Sequence, residues 1–73
     1  DLGNKQGAIA DYDKAIQIKP DYATAYNNRG RAKSDLGDEQ GAIADYKTAI
    51  SLAQQQGNTS TYNLAESNLK RIS

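Results

Sequence analysis

Apolar positions recur along most of the chain with the spacing of a single helix face. From residue 8 onward, Ala8, Ile9, Tyr12, Ala15 and Ile16 step by one, three, three and one. That is a period near 3.6, with Asp11, Asp13, Lys14 and Gln17 mostly on the other side. It predicts an amphipathic helix from Asn4 or Lys5 to about Ile18, with Asn4 as N-cap. Lys19-Pro20 ends it, since a residue before proline avoids the helical region. A second helix is predicted from Tyr22 or Ala23 to Leu36, capped by Asp21. Ala25, Ala32 and Leu36 form its apolar line, with Tyr26 and Gly30 beside it. Glycine inside a helix costs about 1 kcal/mol against alanine, so Gly30 implies a neighbouring helix passing close by. The remaining face is Thr24, Asn27, Asn28, Arg31 and Asp35, a wholly polar stripe.

Gly37 is predicted to end the second helix and Asp38 to cap the third, with Glu39 in the first turn where the helix dipole favours it. Ala42, Ile43, Tyr46, Ala49, Ile50 and Ala53 carry the third helix to Gln55 or Gln56, before Gly57-Asn58. A fourth helix is predicted over about 60–72, capped by Thr59 or Ser60, with Tyr62, Ala65, Leu69 and Ile72 on one face.

The first and third patterns are the same sequence written twice. Residues 1–18 and 35–52 are identical at 12 of 18 positions, at an offset of 34. Such a period marks stacked supersecondary units. The triplet Asp35-Leu36-Gly37 closes a helix, so Asp1-Leu2-Gly3 is expected to close one lying upstream of residue 1. The chain then reads as a piece cut from a longer protein. Tyr62-Asn63 echoes Tyr26-Asn27 before the echo fades, which suits a terminal capping helix.

Composition narrows the chemistry. The 73 residues hold no Cys, His, Trp, Phe or Met, so the core must come from Ala, Ile, Leu and five Tyr. A chain of this size buries only about 60% of its unfolded surface. Nine basic and nine acidic side chains balance, which gives no global field to draw nucleic acid or an anionic membrane. No apolar run approaches the ~20 residues of a membrane span. The lack of Cys fits an intracellular, cytoplasmic setting. No nucleophile, metal-loop or phosphate-cradling pattern occurs, so neither catalysis, a cofactor nor a metal is expected. Asn58-Thr59-Ser60 matches the glycosylation pattern but is read as a helix cap.

Tyr26, Gly30, Gly37-Asp38, Ala42-Ile43, Tyr46 and Ala49 together resemble a tetratricopeptide repeat (TPR). The resemblance implies an all-α fold of antiparallel helix pairs stacked as a right-handed superhelix. It implies residues 1–22 as the second half of a repeat, 23–56 as a complete repeat and 57–73 as the capping helix. Arg29 stands where the family usually has Leu, Lys33 where an aromatic or Leu is common, and Gln54 where a second Pro would fall. The first two substitutions are expected to thin the packing between the second helix and its partner.

By the same resemblance the first helix of each pair lines a concave groove that binds peptides or protein surfaces. The polar stripe would face it: Thr24, Asn27, Asn28, Arg31, Ser34 and Asp35. Asn28 matches a position that contacts ligand in the TPR subset that clamps a terminal carboxylate. The basic residues of that clamp are missing, since the corresponding positions are near Ser60 and Leu64. Arg31 and Asp35 are either an i, i+4 surface ion pair or groove charges that select partners. Arg29, Arg31 and Lys33 alternate around the helix and make no nucleic-acid patch. Tyr12, Tyr26, Tyr46 and Tyr62 are expected in the core. Ala8, Ile9, Tyr12 and Ile16 would lack a covering helix, and an open apolar face is an association site, so this fragment is expected to self-associate or to have been protected within a longer array before being cut. Two functions remain open: a protein-binding scaffold, and a structural spacer or self-assembly module with no external ligand.

Overall fold

The computed structural model describes residues 2–72, with side chains from residue 3 onward. Expectations resting on Asp1, on the Leu2 side chain or on Ser73 lie outside the described residues. The described residues form four helices: α1 (Leu2–Ile18), α2 (Ala23–Asp35), α3 (Glu39–Gln56) and α4 (Thr59–Ile72). Among the described residues there is no strand. Among the described residues each helix packs on the next and α2 also touches α4. The result is a flattened stack of helices, 33 × 29 × 17 Å.

The turns show why the helices stop where they do. Gly37 takes φ +90° and closes α2, with its N–H on the Ser34 carbonyl and the Asp38 N–H on that of Lys33. Gly57, at φ +68°, ends α3 the same way, with the Asn58 N–H on the Ala53 carbonyl. Both are left-handed closures that an L side chain would strain. Asp38 caps α3 as predicted, accepting from the Gly41 N–H at 2.9 Å.

Three predicted ends differ. Gly3 and Asn4 lie within α1, which spans Leu2–Ile18, rather than before its start. Tyr22, not Asp21, is the N-cap residue of α2, because its N–H joins the Lys19 carbonyl and moves the helix start one residue on. Asn58, not Thr59 or Ser60, caps α4: its side-chain oxygen accepts from the Thr61 N–H at 3.1 Å.

The core is built largely from alanine. Ala23, Ala25, Ala32, Ala42, Ala49, Ala53 and Ala65 are buried, with Tyr46 the one large side chain among them. Tyr46 packs against Gly30: a Cβ there would lie 2.8 Å from the ring, so the close helix passage implied by Gly30 is realised. Tyr12, Tyr26 and Tyr62 are half-buried rather than core residues. The contrast within the repeat is direct. Ala42, Tyr46 and Ala49 are 0%, 3% and 0% exposed, whereas their counterparts Ala8, Tyr12 and Ala15 are only half-buried. Nearly identical sequence thus meets two environments, because α3 packs on both α2 and α4 while, among the described residues, α1 packs on α2.

Candidate functional site

The polar stripe of α2 divides into two parts. Thr24 and Asn27 turn towards α4. The Thr24 hydroxyl is 3.1 Å from that of Thr61, and the buried Asn68 amide donates to the Asn27 oxygen at 3.0 Å. Asn27 is 3% exposed, so a residue expected on an open groove sits inside the protein. A buried amide pair of this kind is stable because each polar group has a partner. The signal for it was present in α4, where Asn68 follows Ala65 by three residues on the same face.

Asn28, Arg31 and Asp35 form the second part. With Ala32 they line one wall of a cavity of about 250 Å³, and Asn4, Lys5, Ala8 and Tyr12 of α1 line the other. Asp35 pairs with Lys5 across the cavity at 3.0 Å, so its ionic partner is on α1 rather than being Arg31. Both side chains are substantially exposed, and such a pair contributes roughly 0–1 kcal/mol. Ser34 lies on the opposite flank. It lines a second recess of about 60 Å³ with Arg31, Asp35, Tyr46, Asn68 and Arg71. Burial of the Tyr46 ring beside this recess pushes its hydroxyl pKa above the usual value of 10.0.

Arg29 and Lys33 do not simply thin the packing. Arg29 donates to both oxygens of Asp45, from Nε at 2.8 Å and from the guanidinium NH2 at 2.7 Å, and to Asp13 of α1 at 2.9 Å. Lys33 approaches Asp45 at 3.3 Å. The Arg29 guanidinium also lies over the Tyr26 ring, 5.2 Å from its centroid. The hydrogen bonds to Asp45 raise the Arg29 pKa further despite its partial burial. Four charges thus join α1, α2 and α3. Asp45, 4% exposed, is no surface residue. Ala42, Asp45, Tyr46 and Ala49 stand at i, i+3, i+4 and i+7, so the acid lies at the edge of the packed stripe rather than on the polar face.

The face expected to self-associate, Ala8, Ile9, Tyr12 and Ile16, is half-buried. Ile18, Tyr22 and Leu64 are the large apolar side chains exposed elsewhere. Among the described residues no group of three or more His, Cys, Asp or Glu is placed to hold a metal ion, and no helix is long and apolar enough to cross a membrane.

Comparison with known families finds two matches, described as TPR repeat over residues 1–37 and as tetratricopeptide repeat over residues 23–56. Neither the curated proteins nor the solved structures provide a match. TPR repeats are generally protein–protein interaction modules and non-catalytic scaffolds. Helix pairs that repeat at 34 residues, close on left-handed glycines and seat an aromatic on a helical glycine agree with those matches: the chain belongs to the tetratricopeptide repeat family.

Proposed function

We propose that this chain is a protein-interaction scaffold that takes a peptide or protein surface in the cavity between α1 and α2. The observation that carries this reading is the convergence of Asn28, Arg31 and Asp35 with Lys5 around about 250 Å³ of open space. An Asn side chain donates and accepts at once, which suits a peptide backbone. Arg31 and Lys5 offer positive charge and Asp35 a negative one, so a bound segment can be read for charge as well as shape. Thr24 and Asn27 serve the site indirectly, by tying α2 to α4. Ser34 borders it on the other flank. The test is selection of peptides from a displayed library against the whole chain. Selected peptides should bind the Asn28→Ala/Arg31→Ala variant at least tenfold more weakly, with its melting temperature unchanged. Equal affinity for both proteins contradicts the proposal.

A second reading is favoured by the half-open Ala8, Ile9, Tyr12 and Ile16 face of α1: a structural or self-assembly module in which copies associate through that face. Sedimentation over a dilution series separates the two. Self-assembly predicts a mass above that of one chain that Tyr12→Ala returns to the monomer value; a monomer at all concentrations refutes it.

A further inference from the structure

Two arginines face one small recess, and among the described residues neither has an acidic partner. Arg31 of α2 and Arg71 of α4 are both exposed, and neither makes a hydrogen bond or an ion pair with a described residue. They line the recess of about 60 Å³ between α2, α3 and α4, with Ser34 and Tyr46. Tyr46 is 3% exposed, yet its hydroxyl makes no hydrogen bond among the described residues, and no buried polar side-chain atom there lacks a partner. That hydroxyl therefore opens into the recess. Burial raises its pKa and the charges of Arg31 and Arg71 oppose the rise, so both guanidinium groups lie near it. Ser34 adds a second hydroxyl, half-buried and equally unpaired among the described residues. The acid on the lining, Asp35, is already paired with Lys5 at 3.0 Å. The carbonyls that end α2 are taken by the N–H groups of Leu36, Gly37 and Asp38, so Arg31 is not engaged as a helix cap.

We propose that this recess binds a phosphoryl group on a side chain of a bound peptide. Four donors from three helices converge there: the guanidinium groups of Arg31 and Arg71 and the hydroxyls of Ser34 and Tyr46. A phosphoryl group presents three strong acceptor oxygens and carries about −1.5 to −2 charge at neutral pH. It therefore matches both arginines, each of which donates through a planar fork. A carboxylate, with two oxygens and one charge, leaves one arginine unmatched. The helices add to this discrimination. Both α2 and α4 end at the recess, and a helix C-terminus carries partial negative charge, so an anion there needs more than one positive partner. Size agrees: a water needs about 10–15 Å³ of such space, so the recess admits the four heavy atoms of a phosphoryl group. The inference rests on the peptide-binding reading and adds the chemistry of one bound side chain. Arg71 lines this recess and not the α1–α2 cavity, so the two sites are read separately.

The probe is a blocked tripeptide, phosphoserine between two alanines, titrated into the whole 73-residue chain. The Nε–H resonances of Arg31 and Arg71 and the Ser34 amide are expected to shift together and to saturate. The same tripeptide with glutamate in place of phosphoserine should bind at least tenfold more weakly. Arg71→Gln should weaken the phosphorylated probe at least tenfold, and Tyr46→Phe, which removes only the hydroxyl, at least threefold. Lys14→Gln, at an exposed position of α1, removes one charge elsewhere and should leave binding unchanged. Melting of each variant checks that the fold is kept. Three outcomes overturn the proposal: no saturable shift at Arg71, equal binding of the glutamate probe, or equal losses from Arg71→Gln and Lys14→Gln. The two readings fail separately. Library peptides that bind at Lys5 and Asn28 while the phosphorylated probe leaves Arg71 unmoved refute the recess alone; the reverse refutes the cavity alone.

Discussion

Replacing Arg29 with leucine restores the residue common in the family, and the structure predicts that the change is harmful. Arg29 makes two hydrogen bonds to Asp45, at 2.8 and 2.7 Å, and one to Asp13 at 2.9 Å. Its side chain is 18% exposed and that of Asp45 is 6% exposed, so solvent screens their interaction little. Removing one partner of a buried ion pair costs about 3–5 kcal/mol, because the other charge is left in a poor medium. Two effects reduce that figure here. Lys33 stays 3.3 Å from Asp45, and leucine gains some apolar burial. The net expected loss is about 2–4 kcal/mol. A chain of this length is stable by roughly 4–11 kcal/mol, so the loss is a large part of the total. Urea denaturation followed by circular dichroism measures it, and the melting temperature should fall by roughly 10–25 °C. The double variant Arg29→Leu/Asp45→Leu removes both charges and should recover most of the loss. Arg29→Leu at or above wild-type stability would refute the reasoning: the charge cluster would then not be what holds α1, α2 and α3 together.

The glycines offer a pair of opposite signs. Gly30→Ala places a methyl 2.8 Å from the Tyr46 ring and should destabilise by about 1–2 kcal/mol, overpacking outweighing the gain in helix propensity. Gly7→Ala meets no atom within 4 Å and should stabilise by about 0.4–1 kcal/mol in the same denaturation assay. The tyrosines of the repeat should differ likewise: Tyr46→Ala is expected to cost about 3–5 kcal/mol and Tyr12→Ala, already half-exposed, clearly less. Burial raises the Tyr46 pKa in the folded state above its unfolded value of 10.0. The folded protein therefore holds this proton more tightly. The resulting stability is complete below pH 10 and is lost as pH rises through the folded pKa, so alkaline melting should be steeper for wild type than for Tyr46→Phe.

Helix count, helix order and a close helix passage at Gly30 were legible because they rest on periodicity and on a glycine that only close packing explains; that Tyr46 is what fills the space came from the structure. Helix starts were less legible. Asp21 and Thr59 are good capping residues, but the start of α2 follows a backbone hydrogen bond from Tyr22 to Lys19, and at α4 the neighbouring Asn58 side chain takes the cap. The polar stripe of α2 looked uniform because helical spacing shows which residues share a face, not what that face meets. Asn27 and Asn28 are neighbours, yet one is bonded to Asn68 and the other lines an open cavity. The charge cluster was hidden for a related reason. Arg29 and Lys33 share a face at i, i+4, but their acid stands 12 residues beyond Lys33, on another helix.

The central claim is that the α1–α2 cavity is the binding surface, and amide chemical-shift mapping of the whole chain with a library-selected peptide tests it most directly. The account predicts that the shifts cluster at Asn28, Arg31, Asp35 and Lys5, around the cavity those residues line. Shifts gathered instead around exposed Leu64 on α4, or around Ile18 and Tyr22 at the first turn, would contradict it.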